Sequence, residues 1–359
     1  MSIFKYFCCG TTSHKRHKSE PAFKINKLNT TSHSLQVKIH GSSKMGIGNR
    51  KTHCQDTFCI MENFTANCHF MAVYDGHGRS GLDASLKTNY NIEKYLKDNS
   101  EKIERAKTDK EFQTIIKKAF RNTEAIFKAL PFEYTSSGTC CITVLIQNNQ
   151  CFIANLGDSK GILCRQGTDS EIQVLELTKD HKPSNIEEKK RIIKMGGKVR
   201  KSKYHGVDVG PFRVWGNEEG PGIAVSRSLG DLRAKEIGVI CDPEIEKVKL
   251  EEGDKYVVIG SDGLWDLMEV DEVAMFIQNW DRKGNNREKC SEALIREARN
   301  KWEKSNGGDK IRKELEAQGL SGVNVMCDDI TVLIAYLDFG NKEEKRDEKV
   351  MINIEEEEC

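Results

Sequence analysis

Thr139-Cys-Cys-Ile-Thr-Val-Leu-Ile-Gln-Asn-Asn-Gln-Cys-Phe-Ile-Ala-Asn155 decides the fold class. Two apolar, β-rich runs flank Asn148-Asn149, and paired asparagines tolerate the left-handed backbone of a tight hairpin. The strands Thr139–Ile146 and Gln150–Asn155 are therefore antiparallel neighbours. Working outward, short apolar runs at Phe58–Met61, His69–Tyr74, Gly161–Cys164, Lys255–Gly260 and Ile330–Leu337 read as further strands. Helical periodicity covers Ala84–Leu96, Lys110–Leu130, Asn185–Met195, Val270–Asp281 and Arg287–Lys304. Helices that arrive in blocks, with strands that pair through a hairpin, predict an α+β layered sandwich rather than a parallel doubly wound sheet.

The 359 residues carry 56 Lys+Arg against 55 Asp+Glu, a net charge of +1. Such balance argues against a nucleic-acid binder, which needs surplus cations to displace counterions. No apolar run is long enough for a helical membrane span. Thirteen cysteines without a Cys-x-x-Cys pair or a Cys/His ladder read as reduced, mostly buried thiols of a cytosolic protein.

The first 40 residues hold seven Lys/Arg against one acid, Glu20, and the last ones end in the acidic run Glu355–Glu358. We read 1–42 as a basic tail, 43–338 as one folded domain and 339–359 as a charged tail. Cys8-Cys9, beside aromatic and basic residues, reads as part of a plain solvated tail, with acylation and peripheral membrane contact as the alternative. Residues 182–230, rich in glycine and poor in strand pattern, read as a functional flap. Lys97–Lys110, Pro183–Lys203 and Asp281–Lys289 are charged without an apolar face and read as solvated helix faces and loops.

The chemical signal is a repeated local design. Phe70–Tyr74 runs into Asp75-Gly76-His77-Gly78, Cys151–Leu156 into Gly157-Asp158, and Tyr256–Ser261 into Asp262-Gly263; Asp328-Asp329 opens Ile330–Tyr336. Each Asp-Gly alone is a turn signal. Several such acids at strand ends would repel one another unless hard divalent cations neutralised them. Gly76-His-Gly-Arg-Ser-Gly81 formally matches a dinucleotide loop, but Tyr95–Glu101, where the ribose-binding acid should end a strand, is charged and helical or looped. The dinucleotide reading fails.

Together the strings resemble the protein phosphatase 2C family: Val73–Gly78, Ser137-Gly-Thr139, Ala154–Ser159, Asp180–Pro183, Ala224–Asp231, Asp242–Ile245, Ser261–Asp266 and Asp328–Val332, in family order. The resemblance implies a four-layer α/β/β/α sandwich with two central antiparallel sheets. It also implies removal of phosphate from phosphoserine or phosphothreonine by water activated at two Mg²⁺ or Mn²⁺ ions, with a third in some members. By the same resemblance Asp75, the Gly76 carbonyl, Asp262 and Asp328 match the main metal ligands, and Asp158 and Asp266 match the third-metal position. His77 matches the imidazole that protonates the leaving group, and Asp56 orients water. Gln55 stands where many members have Glu, offering a neutral carbonyl or a water-mediated metal contact. Arg50 is the candidate phosphate-binding arginine, with Lys51 as the alternative.

The expected partners are phosphoprotein substrates, without nucleic acid, for a monomeric signalling enzyme of the cytoplasm, with nuclear or peripheral-membrane placement as alternatives. The rival is a catalytically weak binding or scaffold module, favoured only by Gln55. A two-metal nuclease fits the neutral charge poorly. His181 and Arg227 read as structural and Trp265 as core, while Phe212 and Trp215 stay open between substrate contact and packing.

Overall fold

The computed structural model describes residues 35–47, 52–167, 171–216, 222–304 and 327–340. Cys8, Cys9, Arg50 and Lys51 lie outside them. In chain order the strands are β1 Gln36–Lys44, β2 Asp56–Thr65, β3 Cys68–His77, β4 Gly138–Gln147, β5 Gln150–Leu156, β6 Lys160–Gln166 and β7 Ile172–Glu176. They continue as β8 Lys198–Tyr204, β9 Val207–Trp215, β10 Leu229–Gly230, β11 Glu244–Lys249, β12 Asp254–Gly260 and β13 Ile330–Asp338.

The β4–β5 turn forms as the asparagines require, with Asn148 at φ 48° and Asn149 at φ 62°. One sheet runs β1-β13-β12-β6-β7; the other runs β11-β5-β4-β3-β2, with β10 added on β4. All these pairings are antiparallel.

Strand alternation builds the layers. On β4, Ile142, Val144 and Ile146 join Met71, Val73, Val257, Ile259 and Leu333 in a core between the two sheets. Its neighbours Cys141 and Leu145 face the other way, against Ile92, Phe112, Phe120 and Phe127 of the helices Gly81–Asp98 and Asp109–Ala129. On the far side, Val258, Val332 and Ile334 pack on Ala274, Ile277 and Leu294 of the helices Val270–Arg282 and Cys290–Lys304. Helix, sheet, sheet, helix is the arrangement expected. The helix Asp109–Ala129 starts where Thr108 and Glu111 close a capping box.

Three expectations are corrected. The tail boundary at residue 42 falls inside β1, whose alternate residues Val37 and Ile39 are buried in the central core. The segment Lys97–Lys110 contains the short helix Ser100–Arg105, which buries Ile103 completely. Part of the charged stretch Pro183–Lys203 is strand: β8 pairs with β9 through His205 (φ 47°) and Gly206 (φ 84°), a turn that needs two left-handed residues.

That hairpin belongs to the flap, which Glu188 ties down. Glu188, 5% exposed, accepts from Arg191 at 2.7 Å, Arg227 at 2.7 Å and Ser226 Oγ at 2.5 Å. Burial acts to raise its pKa, yet these donors outweigh burial and hold the carboxyl well below the usual range. Glu188→Ala strands two guanidinium groups and is expected to cost about 3–5 kcal/mol in urea unfolding. A carboxyl depressed on folding stabilises above its unfolded pKa, near 4.3, and loses that contribution as pH falls through and below it. Acidification below about pH 4 should therefore narrow the gap between wild type and variant; a gap independent of pH would show that the charge is not what matters.

Candidate active site

Four strand ends deliver the acids. Asp75 lies near the end of β3, opposite Asp56 on β2 and Cys140 on β4. Asp158 follows Gly157, whose φ of 121° turns the chain out of β5, and where a Cβ would meet Cys140 Sγ at 2.3 Å. Asp262 follows β12 and opens the short helix Asp262–Trp265. Asp328 and Asp329 lead into β13.

Asp75, Asp158 and Asp262 offer carboxylate oxygens that all lie within 4.8 Å of one another. Burial, first, and the neighbouring carboxylates push Asp75 and Asp262 well above the usual carboxylate range. Asp328 contributes charge to both, and Asp266 adds to the crowding at Asp262. Among the described residues Lys182 answers this charge: its Nζ contacts Asp158 Oδ2, and Asp158 raises the lysine against the opposing effect of burial. Hard oxygen donors so crowded fit divalent cations. Gly76, next to Asp75, packs so closely on Gly81 that a Cβ would meet that carbonyl oxygen at 2.2 Å, so no other residue fits there.

Asp56 sits behind the cluster, 6% exposed, accepting from Thr331 Oγ1 at 2.7 Å. Burial, with Asp329 and Asp328 adding repulsion, raises it to about 7 against the hydrogen bonds from Thr331 and Ser261. Asp329 anchors the loop before β2, accepting from Gly46 N at 2.7 Å and Gln55 N at 2.8 Å.

Gln55 has a structural task. Its Nε2 donates to the Gly78 carbonyl at 2.9 Å, and its own backbone carbonyl accepts from Ser85 Oγ at 2.6 Å. A glutamate could not make the first of these bonds.

His77 closes the site on the flap side. Its Nε2 lies 2.7 Å from Asp231 Oδ2, which also accepts from Ser228 Oγ at 2.6 Å. Asp231 adopts φ 49°, and Gly138 leaves room for it: a Cβ there would meet Asp231 Oδ2 at 2.3 Å. Burial lowers the His77 pKa, but the charge and hydrogen bond of Asp231 outweigh it and the net direction is upward. Lys182 opens the flap and Asp231 directly follows it; both stand within the family strings as ordinary charged residues. The signal was there; the partners 154 and 24 residues away were not.

The remaining readings sort cleanly. His181 accepts from Gly157 N at 3.1 Å and lies 3.2 Å from Glu244, while Arg227 serves Glu188; both are structural. Trp265 packs on the outer helix-side core and donates to the Gly260 carbonyl. Cys140 points to Asp158 at 3.3 Å, whereas Cys141 enters the helix-side core.

The model of the family described as "Protein phosphatase 2C" matches residues 41–307. The chain belongs to the protein phosphatase 2C family. Similar relatives include "Probable protein phosphatase 2C 14" of Arabidopsis thaliana, 35% identical over 233 residues, which are 64% of this chain and 47% of that protein. "Protein phosphatase 1L" of Bos taurus is 29% identical over 255 residues, 69% of this chain and 66% of the relative. The chain thus matches about half to two thirds of the length of these curated relatives. Among solved structures, serine-threonine phosphatase 2C from Toxoplasma gondii shares the protein phosphatase 2C fold at a TM-score of 0.69. That comparison is 17% identical and covers 84% of this chain and 95% of the other. Among the described residues no helix is long and apolar enough to cross a membrane.

Proposed function

We propose that the protein hydrolyses phosphoserine and phosphothreonine in proteins, with Asp75, the Gly76 carbonyl, Asp262 and Asp328 holding two divalent cations. Asp158 and Asp266 would complete a third position. The observation that carries this reading is the convergence of Asp75, Asp158 and Asp262, from three separate strand ends, within 4.8 Å.

When bound, Mg²⁺ or Mn²⁺ would offset the phosphate charge and lower the pKa of water near the phosphorus. Asp56 would orient that water. As the P–O bond to the serine or threonine oxygen breaks, the alkoxide needs a proton. His77 Nε2 is held by Asp231, so Nδ1 is the ring atom that delivers it. Arg50 remains the proposed phosphate contact. A cytoplasmic, monomeric enzyme, with Cys8 and Cys9 as the membrane-contact candidates, completes the proposal.

Hydrolysis of a phosphothreonine peptide should require Mn²⁺ or Mg²⁺ and stop on chelation. No turnover at millimolar Mn²⁺ would favour the rival, a binding module that has kept the fold.

Gln55→Glu separates two effects. The added carboxylate should lower the Mn²⁺ concentration for half-maximal activity several-fold, because it adds charge beside the cluster. Loss of the bond to Gly78 should reduce metal-free stability by about 1 kcal/mol. An unchanged metal requirement would place residue 55 outside electrostatic reach of the cations.

A further inference from the structure

The flap is rooted at the site on both sides, through Lys182 on Asp158 and Asp231 on His77. Between these roots its charge departs from that of the chain. Residues 182–230 hold eleven Lys/Arg against five Asp/Glu, a net +6, where the whole chain carries +1. The excess gathers on the β8–β9 hairpin: Lys198, Arg200, Lys201 and Lys203 on one strand, Arg213 on the other.

Elsewhere many surface lysines meet an acid, as Lys38 does Glu62, Lys97 does Glu93 and Lys247 does Asp109. Lys203 stands across from Asp208. Lys198, Arg200, Lys201 and Arg213 form no ion pair among the described residues. Arg200 and Arg213 are direct cross-strand partners, a like-charge pairing that costs stability in an isolated sheet. Aromatic rings hold the charged groups without neutralising them: the Arg200 guanidinium lies 4.2 Å from the Trp215 ring centroid, and Lys201 Nζ lies 5.5 Å from that of Phe212. Phe212 itself is 40% exposed.

We propose that this hairpin is the docking surface for acidic segments of phosphoprotein substrates, with Arg200 and Arg213 meeting Asp or Glu side chains near the phosphorylated residue. Guanidinium forks match carboxylates two bonds at a time, and strand alternation puts Arg200, Arg213 and Trp215 on one face of the hairpin. The hairpin deepens the phosphatase reading and rests on it: the metal site selects the phosphoryl group, and the flap selects its sequence surroundings.

The test uses the full chain with Mn²⁺ and two phosphothreonine peptides that differ only in flanking residues, Asp/Glu in one and Asn/Gln in the other. p-Nitrophenyl phosphate, which has no flanks, is the control. Wild type should favour the acidic peptide roughly tenfold in kcat/KM, as several exposed ion pairs acting together allow. The preference should sit in KM and shrink at about 0.5 M salt. Arg200→Gln/Arg213→Gln should bring the two peptides to near equality and leave p-nitrophenyl phosphate turnover intact. Equal use of both peptides by wild type, or an acidic preference that survives in the variant, overturns the proposal. So does sedimentation of wild type but not variant with phosphatidylserine vesicles when the peptides are not discriminated, since the occupant is then a lipid surface. Absence of p-nitrophenyl phosphate turnover by wild type instead overturns the phosphatase reading, and this proposal falls with it.

Discussion

Asp262→Asn should abolish metal-dependent phosphopeptide hydrolysis, with a loss of about 10³-fold or more, and at the same time stabilise the metal-free protein. The two effects have one cause. Asp75, Asp158 and Asp262 lie within 4.8 Å, and two unit charges at such a distance repel by roughly 3–4 kcal/mol at an effective dielectric constant near 20. Folding without cations must therefore keep protons on these acids or bear the repulsion, which is why burial and neighbouring charge push Asp75 and Asp262 upward. Asparagine keeps the shape and removes one charge. We expect about 1–3 kcal/mol of added stability in chelator, read by urea unfolding. Mn²⁺ should raise the melting temperature of wild type far more than that of the variant. A variant that is less stable in chelator, or that keeps wild-type turnover, would contradict the assignment of Asp262.

The second large effect concerns the proton donor. His77→Ala should lower phosphoserine-peptide turnover by roughly 10²–10⁴-fold, the usual contribution of general acid catalysis. p-Nitrophenyl phosphate, whose leaving group is stable without a proton, should lose much less. Asp231→Asn should follow the same pattern more weakly. Asparagine tolerates the left-handed backbone at position 231, and it keeps an oxygen for Ser228 while losing the charge that faces His77 Nε2. The leaving-group contrast matters because a merely structural role would depress both substrates alike. Equal losses on the two substrates would make His77 a packing residue.

The same residues show what a sequence can and cannot disclose. Strands buried along most of their length, such as β3, β5, β12 and β13, are apolar runs that announce themselves, and Asp75, Asp158, Asp262 and Asp328 stand at their ends. The β4–β5 turn was legible because Asn148-Asn149 states its own backbone requirement. β1 was hidden by Lys38 and His40 between its buried residues, and β8–β9 by a charge density that resembles a solvated loop. Tertiary partners are less legible still. Asp231 and Lys182 are ordinary polar residues until the fold sets them against His77 and Asp158. Gln55 reads as a missing charge in sequence, and only its contact with Gly78 reveals a hydrogen-bonding task.

Crystals grown in Mn²⁺ and measured at the manganese absorption edge would test the metal centre most directly. The expected anomalous map has strong peaks enclosed by the carboxylates of Asp75, Asp262 and Asp328, beside the Gly76 carbonyl. A map with no peak there at millimolar Mn²⁺, or with peaks only at surface acids remote from Asp75, would contradict the assignment.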